Sequence, residues 1–357
     1  MNAAPTGPLV DGYQLVAFDL DGVVYLIDRP IPGAVEAIGR LHAGGRSVAY
    51  VTNNASRRSS DVAQLLTGMG VPARPEEVLT SAGAAAELLR DRLPAGSAVL
   101  VVGAEALRAE VSAVGLKPVT TADESPVAVV QGYGPLVGWA DLAEASIAVR
   151  AGALWIATNT DRTLPSGRGP LPGNGSLVAV LRTALDREPD VVVGKPEPAL
   201  FATAARRADG GRTLVVGDRL DTDIEGAVRA GLDSLLVLTG VSDVPELLTA
   251  GPQRRPTYVC FDLAGLSDPA AVVRVGGGPA GDRSADAPSV GSGWTVSVAD
   301  GVLELTGSGR PLDAVPALCA AAWSRGPEAA GSTPTAPRVR AGSAEAEAAL
   351  RALGLSV

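Results

Sequence analysis

Short apolar runs closed by polar residues alternate with amphipathic stretches along most of this chain. Leu15–Phe18, Ser47–Val51, Val191–Val193, Leu214–Val216 and Ser234–Leu238 each predict a buried strand. Helical stretches separate them: Ala34–His42, a segment with Leu65, Leu66 and Met69 on one face, one running from Pro198 and Ala199 to Arg207, and one stopped by Gly231. Strand, helix, strand in succession predicts an α/β fold with a Rossmann-like parallel-sheet core.

Between Ser81 and Glu188 the alternation restarts with its own members. Helices are predicted at Ala82–Arg90, Glu105–Val114, Asp141–Arg150 and Ser176–Leu185, and strands at Val99–Val102, Val127–Val130 and Leu154–Ala157. This is enough for a separate α/β domain inserted into the first. The expected division is a core of residues 1–80 and 189–265, a large inserted α/β cap domain of 81–188, a linker of 266–293 and a small C-terminal α+β domain of 294–357. Inside the insert, Thr158–Ser176 is rich in Gly, Pro and Asn and reads as a long irregular loop. In the C-terminal domain, Trp294–Val298 and Val302–Thr306 alternate around Asp300-Gly301, a strong hairpin signal. A helix over Pro311–Ser324, a strand near Val339 and a helix over Ala344–Leu353 come after it.

Composition narrows the function classes. The formal net charge of -9 supplies no basic stripe, which argues against a nucleic-acid or anionic-membrane partner. No apolar run reaches membrane-spanning length, and the N-terminal residues lack a signal-peptide pattern, so a cytoplasmic protein is expected. Cys260 and Cys319 make neither a disulfide framework nor a zinc pattern. Of the 30 basic residues only Lys117 and Lys195 are lysine. A lysine kept in a chain that otherwise uses arginine is a candidate for chemistry.

The chemistry is written at the ends of the strands. Asp19, Asp21 and Gly22 come directly after the first strand. Two carboxylates so placed are costly unless a cation sits between them, and the spacing is not that of an EF-hand loop. Thr52-Asn53-Asn54 ends the second strand, Gly194-Lys195 the third, and Gly217-Asp218 the fourth. In open parallel sheets ligands bind at the carboxyl ends of strands. Asp19 is the candidate nucleophile, and Asp21 the candidate general acid and then base. Asp19, Asp218 and the backbone carbonyl of Asp21 are candidate Mg²⁺ ligands. Thr52, Asn53, Asn54, Gly22 and Lys195 are candidate phosphate contacts, with Lys195 offsetting charge. Asp223 is the candidate support for Lys195 or a metal-bound water. In the long loop, Asn159, Asp161, Arg162 and Arg168 are weighed against a solvated hinge. Asp161 is favoured there, as an acceptor for polyol hydroxyls.

The stretches DLDGVVY, VTNNAS, GKPEP and GDRLDTDIEGA resemble the four motifs of the haloacid dehalogenase superfamily phosphatases. Their order and spacing are similar to the branch with a large cap between the second and third motifs, which holds p-nitrophenyl and phosphoglycolate phosphatases. The resemblance covers about residues 13–265. It implies a Mg²⁺-dependent phosphomonoesterase working through an aspartyl-phosphate. Glycerol 3-phosphate is the expected substrate, and 2-phosphoglycolate or a broad p-nitrophenyl-type specificity is the alternative. The C-terminal unit is similar to an incomplete acetyltransferase fold, which leaves it a regulatory or interaction role. A homodimer stays open.

Overall fold

The computed structural model describes residues 7–164, 166–276, 293–324 and 337–356. The chain forms two compact units. Among the described residues, the first holds 7–26, 30–48, 205–276, 293–324 and 337–356, and the second holds 27–29, 49–164 and 166–204.

In the first unit the strands Leu15–Phe18, Thr213–Gly217, Asp233–Val237 and Tyr258–Cys260 lie side by side in parallel. All of their residues are buried, which is why they read as continuous apolar runs rather than alternating ones. Leu15 is level with Thr213 and Phe18 with Val216. This register brings the carboxyl ends of the first two strands to the same height. Val272–Arg274 closes the edge antiparallel to Tyr258–Cys260. The composition of that stretch predicts a linker instead. Gly and Pro around it hide a three-residue edge strand from any periodicity test.

The C-terminal residues form the predicted hairpin, Trp294–Ala299 against Val302–Gly307. Asp300 and Gly301 both have positive φ, 50° and 76°, as a tight two-residue hairpin turn requires. Arg338–Ala341 adds a third strand, parallel to Val302–Leu305. The helix expected over Pro311–Ser324 is a 3₁₀ turn, Pro311–Ala314, running into an α-helix, Val315–Trp323. Residues 277–292 of the expected linker and residues 325–336 of the C-terminal domain lie outside the described residues. Trp294, Leu305, Val315, Leu318, Cys319 and Leu350 share one apolar core with Leu220, Ile224, Leu236, Leu247 and Val259. The C-terminal strands and helices are therefore fused to the parallel sheet.

The second unit carries a five-stranded parallel sheet in the order Val191–Val192, Leu154–Ala157, Ala128–Gln131, Ala98–Val102, Lys117–Val119. Pro118 is tolerated because its strand is at the edge. Helices cover both faces. Ala82, Leu89, Leu107 and Val111 pack on one side, and Leu142, Ala145, Val149, Val178 and Leu181 on the other. The segment before Lys195 was expected in the same sheet as Leu15–Phe18. It is instead the edge strand of this second sheet, with Val191 level with Ile156 and Val192 with Ala157. A two-residue run of valines suits either sheet, so the sequence could not choose. The expected irregular loop 158–176 contains a two-residue antiparallel hairpin, Thr163–Leu164 with Leu171–Pro172, and the next helix begins at Asn174.

Candidate active site

In the first unit, the buried strand Leu15–Phe18 delivers Asp19. Its N–H donates to Val216 O at 2.9 Å and so continues the sheet ladder by one residue. The chain then turns tightly, with the N–H groups of Val23, Val24 and Tyr25 all directed at Leu20 O. Gly22 sits in this turn at φ 85°, and a β-carbon there would lie 2.6 Å from Asp218 Oδ2. Its N–H donates to Tyr25 O at 2.8 Å, and its carbonyl accepts from Thr239 Oγ1 at 2.6 Å. Gly22 thus yields space to Asp218 and anchors the turn.

Asp218 comes after the strand Thr213–Gly217 and is fully buried. Its Oδ2 accepts from Val241 N at 2.8 Å, and its backbone carbonyl from Ser242 N at 2.9 Å. Asp223 is also fully buried. It lies in a widened helical turn, Leu220–Ile224, and its Oδ2 accepts from Arg219 N at 3.2 Å. A β-carbon at Gly217 would come 2.2 Å from that of Asp223, so the strand can end beside it only as glycine.

Asp19, Asp218 and Asp223 are all buried, and each offers a carboxylate oxygen within 4.8 Å of the others. Among the described residues this is the group of acidic side chains able to hold a metal ion. Three carboxylates this close repel one another and lose hydration, which a bound cation offsets. Their oxygens are hard donors, matched to Mg²⁺ or Ca²⁺ rather than to a soft ion. The Asp21 side chain is outside this group. Asp21 is half-buried and bridges to Tyr25 through its backbone. Asp223, expected in a supporting role, brings a carboxylate oxygen within 4.8 Å of those of Asp19 and Asp218.

In the second unit, Thr52 ends the strand Ser47–Thr52 and is buried. Its Oγ1 accepts from Asn54 N at 3.1 Å, and Asn54 Oδ1 accepts from Ser56 N and Ser56 Oγ at 2.7 and 2.8 Å. The side chain of Asn54 therefore builds the turn. Asn53 is buried and serves as a hub. Its Oδ1 accepts from Lys195 N at 2.7 Å, and its Nδ2 donates to Lys195 O at 3.0 Å and to both oxygens of Asp161 at 3.0 and 3.1 Å. Its carbonyl accepts from Ser81 Oγ and Asn159 Nδ2 at 2.6 and 2.7 Å. Lys195 is buried, with Nζ donating to Val51 O at 3.2 Å and lying 6.0 Å from the centre of the Phe201 ring.

The motif residues and Asp161 thus fall in two clusters. Asp19, Asp21, Gly22, Asp218 and Asp223 form one, and Thr52, Asn53, Asn54, Asp161 and Lys195 form the other. Arg162 gives its backbone carbonyl to Gly173 N and Ser176 Oγ, within the long loop itself. Sequence reasoning missed Gly240, whose β-carbon would strike Asp218, and the structural reach of Asn159. Thr239-Gly240 reads locally as a strand end. Its meaning depends on a neighbour 22 residues upstream that no local pattern reports.

Comparison with known proteins gives three family matches. Residues 16–117 match a haloacid dehalogenase-like hydrolase family, residues 192–266 a second hydrolase family of the same type, and residues 292–355 a GCN5-related N-acetyltransferase-like domain. The chain is 44% identical over 348 residues to the D-glycerol 3-phosphate phosphatase of Mycobacterium tuberculosis, covering 95% of this chain and 93% of that protein. It is 40% identical over 270 residues to mouse chronophin, covering 71% and 92%. Among solved structures, the M. tuberculosis glycerol phosphate phosphatase in complex with magnesium aligns at a TM-score of 0.85, covering 98% of this chain and 100% of that one. The 4-nitrophenylphosphatase of Thermotoga maritima aligns at 0.67 with 32% identity, covering 72% and 97%.

Proposed function

The chain belongs to the haloacid dehalogenase-like hydrolases, and from that premise we propose that it is a Mg²⁺-dependent phosphomonoesterase whose substrate is glycerol 3-phosphate. The observation that carries the reading is the buried trio Asp19, Asp218 and Asp223, a donor set suited to a hard cation beside a nucleophile.

In the proposed reaction a carboxylate oxygen of Asp19 attacks phosphorus. A P–O bond forms to Asp19, and the bond to the glycerol oxygen breaks. Asp21 donates its proton to the departing alkoxide, then takes a proton from the water that attacks the aspartyl-phosphate. Proton transfer of this kind contributes about 10²–10⁴-fold. Inorganic phosphate leaves and Asp19 is restored. Thr52 Oγ and the N–H of Asn53 donate to phosphoryl oxygens, and Lys195 supplies a compact positive charge. Asp19, Asp218 and the carbonyl of Asp21 would hold the Mg²⁺, with Asp223 supporting. The ion, when bound, offsets negative charge on the phosphoryl oxygens.

Residues 81–188 serve as the cap in this reading, closing the site to bulky phosphoproteins. The C-terminal unit is a brace, a role favoured by the apolar core it shares with Leu220, Leu236 and Leu247. Cytoplasmic location and a homodimer belong to the same proposal, and sedimentation of the purified protein tests the second.

The deciding test is phosphate release from glycerol 3-phosphate, 2-phosphoglycolate, pyridoxal phosphate, a nucleoside monophosphate and p-nitrophenyl phosphate, with Mg²⁺ and then with EDTA. A kcat/KM preference for glycerol 3-phosphate that EDTA abolishes is expected. A preference for 2-phosphoglycolate would keep the mechanism and replace the substrate. No metal-dependent release from any of them would overturn the proposal.

A further inference from the structure

We propose that Asp161 is a positioning residue for Lys195, acting through the side-chain amide of Asn53, and not a ligand of the substrate's hydroxyl groups. The assignment rests on the phosphatase reading only for its kinetic consequences. The relay itself stands on geometry.

An amide side chain has a direction. Lys195 N–H can only donate, so Asn53 Oδ1 must face it, at 2.7 Å. Nδ2 then presents its two protons to acceptors, Lys195 O at 3.0 Å and the Asp161 carboxylate at 3.0 and 3.1 Å. The reversed amide would set its oxygen against the carboxylate and the carbonyl at once. Asp161 therefore locks the amide in the orientation that brackets the backbone of Lys195 on both sides. That backbone sets the point from which the lysine side chain departs, with Nζ reaching Val51 O.

Asp161 is itself held. Its N–H donates to Asn159 Oδ1 at 3.2 Å, and Asn159 Nδ2 donates to Asn53 O at 2.7 Å. Its carbonyl accepts from Gly175 N at 2.8 Å. A β-carbon at Gly173 would lie 2.4 Å from Asp161 O, and one at Gly175 2.1 Å from Thr160 O. This part of the long loop is a packed bracket, unlike the solvated hinge it was weighed against. Residue 194 also has to be glycine, because a β-carbon there would come 2.6 Å from Asn53 Oδ1.

The two lysines of the chain make a direct assay. Lys117 is exposed on its edge strand and acts as an internal reference, whereas Lys195 is buried. Acylation with N-hydroxysuccinimidyl acetate, followed by peptide mass spectrometry, gives the ratio of Lys195 to Lys117 labelling. Asp161→Ala should raise that ratio about tenfold, as expected for loss of one charge-assisted hydrogen bond. Asp161→Asn keeps an acceptor for Asn53 Nδ2 and should stay within about threefold of the unchanged protein. An unchanged ratio in Asp161→Ala overturns the relay. In turnover, Asp161→Ala should lower kcat by the same factor on glycerol 3-phosphate and on p-nitrophenyl phosphate, with KM moved less. A loss confined to glycerol 3-phosphate would overturn the proposal in favour of a hydroxyl contact. If the unchanged protein hydrolyses neither ester, the phosphatase reading fails, and the labelling ratio still decides the relay.

Discussion

A β-carbon at residue 240 would lie 1.9 Å from Oδ2 of Asp218, so Gly240 is the space into which that carboxylate is set. The next residue, Val241, donates its N–H to the same oxygen. Gly240→Ala must push the Asp218 carboxylate aside or move the backbone of residues 239–241. Displacement of about 1 Å in a catalytic constellation costs about 10²-fold in rate. The expected outcome is a loss of that size in Mg²⁺-dependent phosphate release, with a raised Mg²⁺ requirement. Titration of activity against Mg²⁺ checks it, and unchanged half-saturation would refute the link.

Asp19→Asn removes the proposed nucleophile while keeping shape. Turnover should fall by about 10³-fold or more. Relief of repulsion within the acidic trio should leave the melting temperature unchanged or raise it. Phosphate release and thermal melting on one sample test both halves. Wild-type turnover would sink the covalent mechanism.

Alkaline pH should destabilise the fold in two stages. Burial pushes the thiols of Cys260 and Cys319 and the phenols of Tyr13 and Tyr50 well above their ordinary values. Each group keeps its proton in the fold while the unfolded chain releases it. The stability they contribute is fully present below the unfolded pKa and is lost as pH rises past it. That loss begins near about 8.5 for the thiols and about 10 for the phenols, and each group adds about 1.4 kcal/mol per pH unit. Urea midpoints measured from neutral pH upward should hold steady, fall above the thiol value and fall faster above the phenol value. A flat profile through both values would contradict the burial of these groups.

Leu350 lies in the last helix, Ala344–Ala352, and is fully buried in the core shared with Leu236 and Leu247. Leu350→Ala should cost about 2–5 kcal/mol. The loss should appear as a downward shift of the unfolding transition that includes the parallel sheet of the first unit. A separate early transition, leaving the parallel sheet of the first unit at its original midpoint, would show that the C-terminal residues fold independently.

Which polar groups close the short apolar runs was legible in the sequence. Asp19, Thr52, Lys195 and Asp218 each come at the end of a short apolar run, and that juxtaposition is local: a buried strand must end, and the polar residue that ends it can be read from the run itself. The hairpin at Asp300-Gly301 was legible for the same reason, since two residues at positive φ leave few alternatives. Tertiary structure alone decided which sheet Val191–Val192 joins, because two valines carry no register. It decided that Asp223 completes the acidic trio. It also gave Gly22, Gly217 and Gly240 their purpose, since each is defined by a carboxylate that the fold brings from elsewhere in the chain. The orientation of Asn53 between Asp161 and Lys195 belongs to the same class. Local pattern sets which groups a chain can offer, but hydrogen-bond direction and excluded volume between distant residues exist only once the chain has folded.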